Sequence, residues 1–156
     1  MRRVSVLIII FLLVPNLWAK DPLAFFHDLG RKKIATFGDA IYFTTLTVDK
    51  KARNRPSDFK KNLKTLKKHL SFKDLDYDRN EPLNNGMLSL IIARYLKLSD
   101  SLFFLIFDNE RYAHRACIGA SILTPESSNR DKVTGQDLIE VMTLVIEKLE
   151  KRIENK

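Results

Sequence analysis

The sequence predicts an all-α fold, and three observations predict it. Apolar residues recur at three- and four-residue intervals along much of the chain, most plainly in 57–70 and 134–153. Segment 84–98 is apolar nearly all round, so it reads as a helix buried at the centre of a core. The chain also repeats itself with a period of 50 residues, each unit running helix, loop, apolar residue, N-cap, second helix.

The elements follow in order. Segments 22–29 and 36–48 read as two shorter helices. The second is ambiguous, because Tyr42, Phe43, Thr44, Thr45, Thr47 and Val48 are residue types that also favour strand. In 57–70, Pro56 precedes the helix and Ser57 is placed to cap it. Phe59, Leu63, Leu66 and Leu70 share one face there, and Lys60, Lys61, Lys64, Lys67 and Lys68 point elsewhere. In 84–98, Met87, Leu88, Leu90, Ile91, Ile92, Tyr95, Leu96 and Leu98 leave few polar positions. The run 100–107 is too short for periodicity to decide between a short helix and a buried strand. Segment 109–122 is helical, with Ala113, Ala116 and Ala120 on one face that permits close approach of a neighbour. In 134–153, Thr134 and Asp137 are spaced as a capping box, Leu138, Met142, Val145, Leu149 and Ile153 form the apolar stripe, and Glu147 and Lys151 stand one turn apart.

The repeat sets Leu66 on Ala116, Leu70 on Ala120, Phe72 on Ile122, Leu83 on Val133, Asn84 on Thr134, Leu88 on Leu138, Ile91 on Val141 and Ile92 on Met142, with no gap in the loops. These are two clear copies. A third, fainter copy precedes them, since Ala35-Thr36-Phe37-Gly38-Asp39-Ala40 aligns with Leu83-Asn84-Asn85-Gly86-Met87-Leu88 and with Val133-Thr134-Gly135-Gln136-Asp137-Leu138. In each, the chain leaves a loop, plugs the core with an apolar residue, and then caps the unpaired N–H groups of a new helix.

The phrase from Tyr77-Asp78-Arg79-Asn80-Glu81-Pro82-Leu83-Asn84 to Arg94-Tyr95-Leu96 resembles the back half of an S-layer-homology unit. A polar loop, a proline and a capped start lead there into a buried helix. The stretch from Arg111-Tyr112-Ala113-His114-Arg115-Ala116 through Thr124-Pro125 to Asp137-Leu138 resembles a second unit. The resemblance implies three units arranged about a pseudo-threefold axis and a role in anchoring to cell-wall polysaccharide. The family's glycan-holding arginine falls on Phe37, Asn85 and Gly135, none of which carries charge, whereas Asp39 and Asp137 match its acidic position and Met87 does not. The chain also resembles envelope proteins of unassigned function that share a Gly-Asp-Ala helix start and an Arg-Tyr-Ala helix.

Residues 1–19 read as a cleavable signal peptide: Arg2 and Arg3, the apolar run Val4–Val14, a break at Pro15-Asn16, and a cut after Ala19. The apolar run is short for a bilayer span, and an uncleaved anchor is the competing reading. Residues 20–156 then form a single helical domain in the periplasm or cell envelope. Without Arg2 and Arg3 the domain keeps 25 basic against 19 acidic side chains. Export removes nucleic acid as a partner, which leaves an envelope protein or an anionic polysaccharide and allows peripheral membrane contact. Cys117 is the sole cysteine, so no internal disulfide forms and the core alone must supply stability.

No cofactor is expected. Asp74, Asp76 and Asp78 alternate as in a calcium loop, but the sixth position is Arg79 where glycine is needed and the twelfth is Asn85 where a bidentate glutamate is needed. His114 and Cys117 share a helix face, yet no second pair stands nearby to complete a zinc site, and no third group orients them as a nucleophile and base. The densest polar run is Asp108, Glu110, Arg111, Tyr112, His114 and Arg115. Arg111 and Arg115, one turn apart, suit a carboxylate or phosphate. The plainer alternative pairs Arg111 with Asp108 and packs Tyr112 in the core. The expected binding residues are therefore Arg111, Tyr112, His114 and Arg115, with Lys60, Lys64, Lys67 and Lys68 as a second basic face. The expected function is a non-catalytic envelope module, and the alternative is a small periplasmic enzyme pairing Asp39 with His114.

Overall fold

The computed structural model describes residues 22–49, 51–52, 58–70, 75, 77–98 and 102–154. The expected leader 1–19, the expected Pro56-Ser57 cap, Asp74 and Asp76 lie outside them. The described residues are all-α, with no strand among them. The helices are α1 (Pro22–Gly30), α2 (Phe37–Val48), α3 (Phe59–Leu70), α4 (Asn85–Leu96), α5 (Leu102–Phe107), α6 (Glu110–Gly119) and α7 (Gly135–Glu154). The principal pairs are α2 with α3, α4 with α6, and α7 with α1, so the helix at the start of the domain completes the pair at its end.

Three buried residues tie the pairs together. The Ala35 N–H donates to the Val133 carbonyl at 2.8 Å, the Val133 N–H to the Leu83 carbonyl at 3.1 Å, and the Leu83 N–H to the Ala35 carbonyl at 2.8 Å. The circuit is closed. Its members are the apolar residues that precede the three aligned N-caps, and each is at most 1% exposed. One residue on, Thr36, Asn84 and Thr134 cap α2, α4 and α7. Thr36 with Asp39, and Thr134 with Asp137, form reciprocal capping boxes. Asn84 accepts from the Met87 N–H but lacks an acidic partner.

The first N–H groups of these helices also reach across to neighbouring turns. Those of Phe37 and Gly38 donate to the carbonyls of Glu81 and Arg79, those of Asn85 and Gly86 to Asp131 and Asn129, and that of Gly135 to Lys32. The orphan donors of a helix start are thereby satisfied by backbone. So close a docking excludes side chains. A Cβ on Gly135 would stand 1.7 Å from the Leu29 carbonyl oxygen, and one on Gly38 2.8 Å from that of Arg79. No glycine has positive φ, so these positions need glycine for space rather than for backbone freedom.

Helix α4 is the central buried element, with Met87 through Ala93 and Leu96 all buried. The strand-like sequence of α2 is helical for two reasons. Its Thr44 and Thr45 hydroxyls, both fully buried, donate to the Ala40 and Ile41 carbonyls one turn back. Its aromatic residues pack edge-on against α1, Tyr42 on Phe25 and Phe43 on Phe26. The undecided run before Asp108 is the short helix α5. The stripe of α7 runs past the core: Leu138, Met142 and Val145 are buried, but Ile153 is 74% exposed. The last turns of α7 are held instead by the Arg152 guanidinium, which donates to the Leu96 carbonyl at 2.7 Å.

Candidate functional site

Where the start of one helix docks on a turn of the next unit, a groove remains. The first lies between α1, the start of α2 and the turn at Arg79-Asn80. On one wall, Lys32 donates from Nζ to both carboxylate oxygens of Asp39, at 2.8 and 2.7 Å. Asp39 also accepts from the backbone N–H and hydroxyl of Thr36. Its charge is thus committed to the ion pair and the cap. Asp28, Arg79 and Asn80 stand exposed around the opening. Tyr42 lines the groove from one turn further along α2. It is 3% exposed, and its buried hydroxyl has no hydrogen-bond partner among the described residues. Burial raises the Tyr42 pKa, so the phenol stays protonated. The groove encloses about 280 Å³.

A second groove occupies the matching place one unit on, between α4, the start of α6 and Asn129. Leu90 stands six positions after its N-cap, as Tyr42 does after Thr36. The Asn129 carbonyl takes the Gly86 N–H, as that of Arg79 takes the Gly38 N–H. Four polar groups of this groove pair off within it, and the exposed Arg111 also lines it. Arg94 donates twice to Asp108, both bonds at 3.1 Å, and the Tyr77 hydroxyl donates to Glu110 at 2.5 Å. Burial, and then the Glu110 carboxylate, raise the Tyr77 pKa. The first groove therefore keeps a buried polar atom in want of a partner, and here leucine replaces the tyrosine that would supply one.

The residues expected to bind are only partly brought together. Arg111, His114 and Arg115 line a shallow depression with Ser127, Ser128 and Asn129. His114 is 6% exposed, and its Nε2 lies 3.1 Å from the Ser127 hydroxyl. Ser127 gives its own proton to the Thr124 carbonyl at 2.7 Å, so Nε2 carries the hydrogen that bridges the pair. Burial lowers the His114 pKa, opposed in part by Asp131. The ring thus sits as a neutral anchor for the loop that follows α6. The plainer alternative needs correction, because Asp108 is held by Arg94 and not by Arg111. Tyr112 is half-buried and packs against the edge of the core, with its ring stacked on Phe107 at 5.0 Å and the Arg115 guanidinium 5.9 Å above it.

Lys60, Lys64, Lys67 and Lys68 are exposed on α3 and line neither groove. Asp39 and His114 line different depressions. Cys117 is fully buried, donates to the Ser89 carbonyl at 3.7 Å, and burial pushes its thiol up to about 12. Among the described residues no three His, Cys, Asp or Glu side chains converge as a metal ion would need, and no helix is long and apolar enough to cross a membrane. Sequence reading missed Lys32, Tyr42 and Arg79. The one available signal was the 50-residue period, which sets Arg79 in register with Asn129. Comparison with protein-family models, with curated proteins and with solved structures finds no match.

Proposed function

We propose that this chain is a non-catalytic binding module of the cell envelope, and that its ligand is an anionic cell-wall glycan held in the groove between α1, α2 and the Arg79-Asn80 turn. The observation that carries the reading is the buried, unpartnered Tyr42 hydroxyl in a groove flanked by Lys32 and Arg79. A free protein gains nothing from burying a polar atom without a partner. A ligand that brings a hydroxyl or carboxylate to that atom removes the deficit, and the exposed Arg79 at the opening, beside a Lys32 already paired with Asp39, favours an acid group. Asp28 and Asn80 supply acceptors for sugar hydroxyls. The cations come from the loop before α2 and the turn before α4, not from positions 37, 85 and 135, where the S-layer-homology resemblance would set an arginine. The signal-like leader and the basic excess support the same setting.

The test is retention of acidic wall polysaccharide on the immobilised chain from Lys20, beside the same polymer with its acid groups reduced. The acidic form is expected to bind and the reduced form to elute early. Tyr42→Phe is expected to weaken binding roughly five- to tenfold, the worth of one hydrogen bond. Equal affinity in Tyr42→Phe and wild type would remove the groove as the site. No retention of either polymer would remove the glycan and leave an envelope protein as the partner to seek.

A further inference from the structure

We infer that the end of α5 and the first turns of α6 form a docking surface for an anionic lipid bilayer. Every residue of α5, Leu102-Phe103-Phe104-Leu105-Ile106-Phe107, is apolar. Phe104 turns inward at 6% exposure, but Ile106 is 65% and Phe107 53% exposed. The chain then turns sharply, for Asp108 adopts a positive φ of 38° and Asn109 caps α6. The two apolar side chains therefore sit at a corner rather than along a covered face.

What surrounds the corner identifies the partner. Tyr112 lies flat against Phe107, extending the apolar tip into an amphipathic aromatic shelf. Arg115 lies over that shelf, and Arg111 is exposed one turn before it. Neither arginine has an ion-pair partner among the described residues. The two carboxylates that precede Arg111 in the chain are engaged elsewhere, Asp108 by Arg94 and Glu110 by the Tyr77 hydroxyl. An apolar tip, an aromatic shelf and a pair of outward guanidinium groups follow the order of acyl chains, interface and phosphates in a bilayer. The patch is small. A stable protein–protein interface buries about 1,200 Å² or more, with roughly 20 residues a side. A bilayer needs no such area, because a shallow apolar insertion and a few cations act together. The surface lies apart from the groove assigned to glycan and does not depend on it.

The experiment uses the chain from Lys20 with Phe107→Trp. The sequence contains a single tryptophan, Trp18, which precedes that start, so the new indole reports alone. Phosphatidylglycerol vesicles are expected to shift its emission to the blue, and added salt to reduce the effect. Phosphatidylcholine vesicles are expected to do much less. Cosedimentation of Ile106→Ser, and of Arg111→Gln with Arg115→Gln, should each show an affinity for the anionic vesicles lowered on the order of tenfold. All these positions are exposed, and an unchanged melting temperature confirms that the variants fold. An absent blue shift overturns the inference. So does undiminished vesicle binding in either variant, which would place the contact on the lysine face of α3.

Discussion

Tyr42 costs the free protein stability, since the unmet hydrogen bond of its hydroxyl is worth about 1–3 kcal/mol. Tyr42→Phe keeps the ring and its edge-on contact with Phe25. It is expected to raise stability by about 1 kcal/mol in urea melts while weakening the ligand, a combination that a merely structural tyrosine would not give. His114 makes a second residue-scale prediction. Its folded pKa lies below the 6.5 of an exposed imidazole, so between the two values the unfolded chain binds more protons. Stability is then fully present above pH 6.5 and falls as the pH drops toward the folded pKa. Melting temperatures from pH 7 to pH 5 should show that slope, and His114→Gln should flatten it. At this scale the sequence was legible where a residue acts on near neighbours. Thr36 with Asp39 and Thr134 with Asp137 are three positions apart and were read as helix starts. Asp108 was not, because its partner Arg94 lies 14 positions back and chain proximity favoured Arg111.

Most of the helices were legible because their apolar residues recur at helical spacing, and α2, α4 and α7 carry an N-cap as well; the six-residue α5 is too short to show a period. The exceptions are instructive. In α2, intrinsic strand preference loses to tertiary context, since the threonine hydroxyls find carbonyls and the aromatic rings find α1. In α7, the sequence stripe is longer than the core it faces, so periodicity alone extended burial to Ile153. The grooves were not legible, because each is made where one unit's helix start meets a turn some 40 positions away, as Gly38 meets Arg79. The glycines at those junctions give the sharpest element-scale test. Gly135→Ala sets a methyl against the Leu29 backbone and should cost about 3 kcal/mol, as overpacking does when backbone must move. Gly119→Ala, with nothing within 4 Å, is the control and should be neutral or slightly stabilising. Thermal melts of the two variants side by side decide it.

For the molecule as a whole, the two clear copies and the fainter third foretold three starts but not that they meet. Their meeting is a property of the closed circuit Ala35, Leu83 and Val133 and of the pairing of α7 with α1. An array of stacked repeats exposes its two ends, and each repeat leans only on its neighbours. Here each pair leans on both others. Removal of residues through Gly30 takes away Leu29, which is 1% exposed, and uncovers the face of α7. The shortened chain is expected to lose cooperative unfolding altogether, with a broad, shallow urea transition by circular dichroism in place of a single step. Retention of a sharp transition would show that α1 is an accessory and that two pairs suffice.

The same circuit sets a timetable. Ala35 and Val133 are 98 positions apart, so the last bond of the circuit waits until nearly the whole chain is present. Closing so distant a contact is slow compared with forming helices. For a polypeptide threaded across a membrane from its N-terminus, as the proposed export requires, the first hundred residues emerge without the partner that would lock them. On that proposal the chain stays pliable during transit and sets only on arrival.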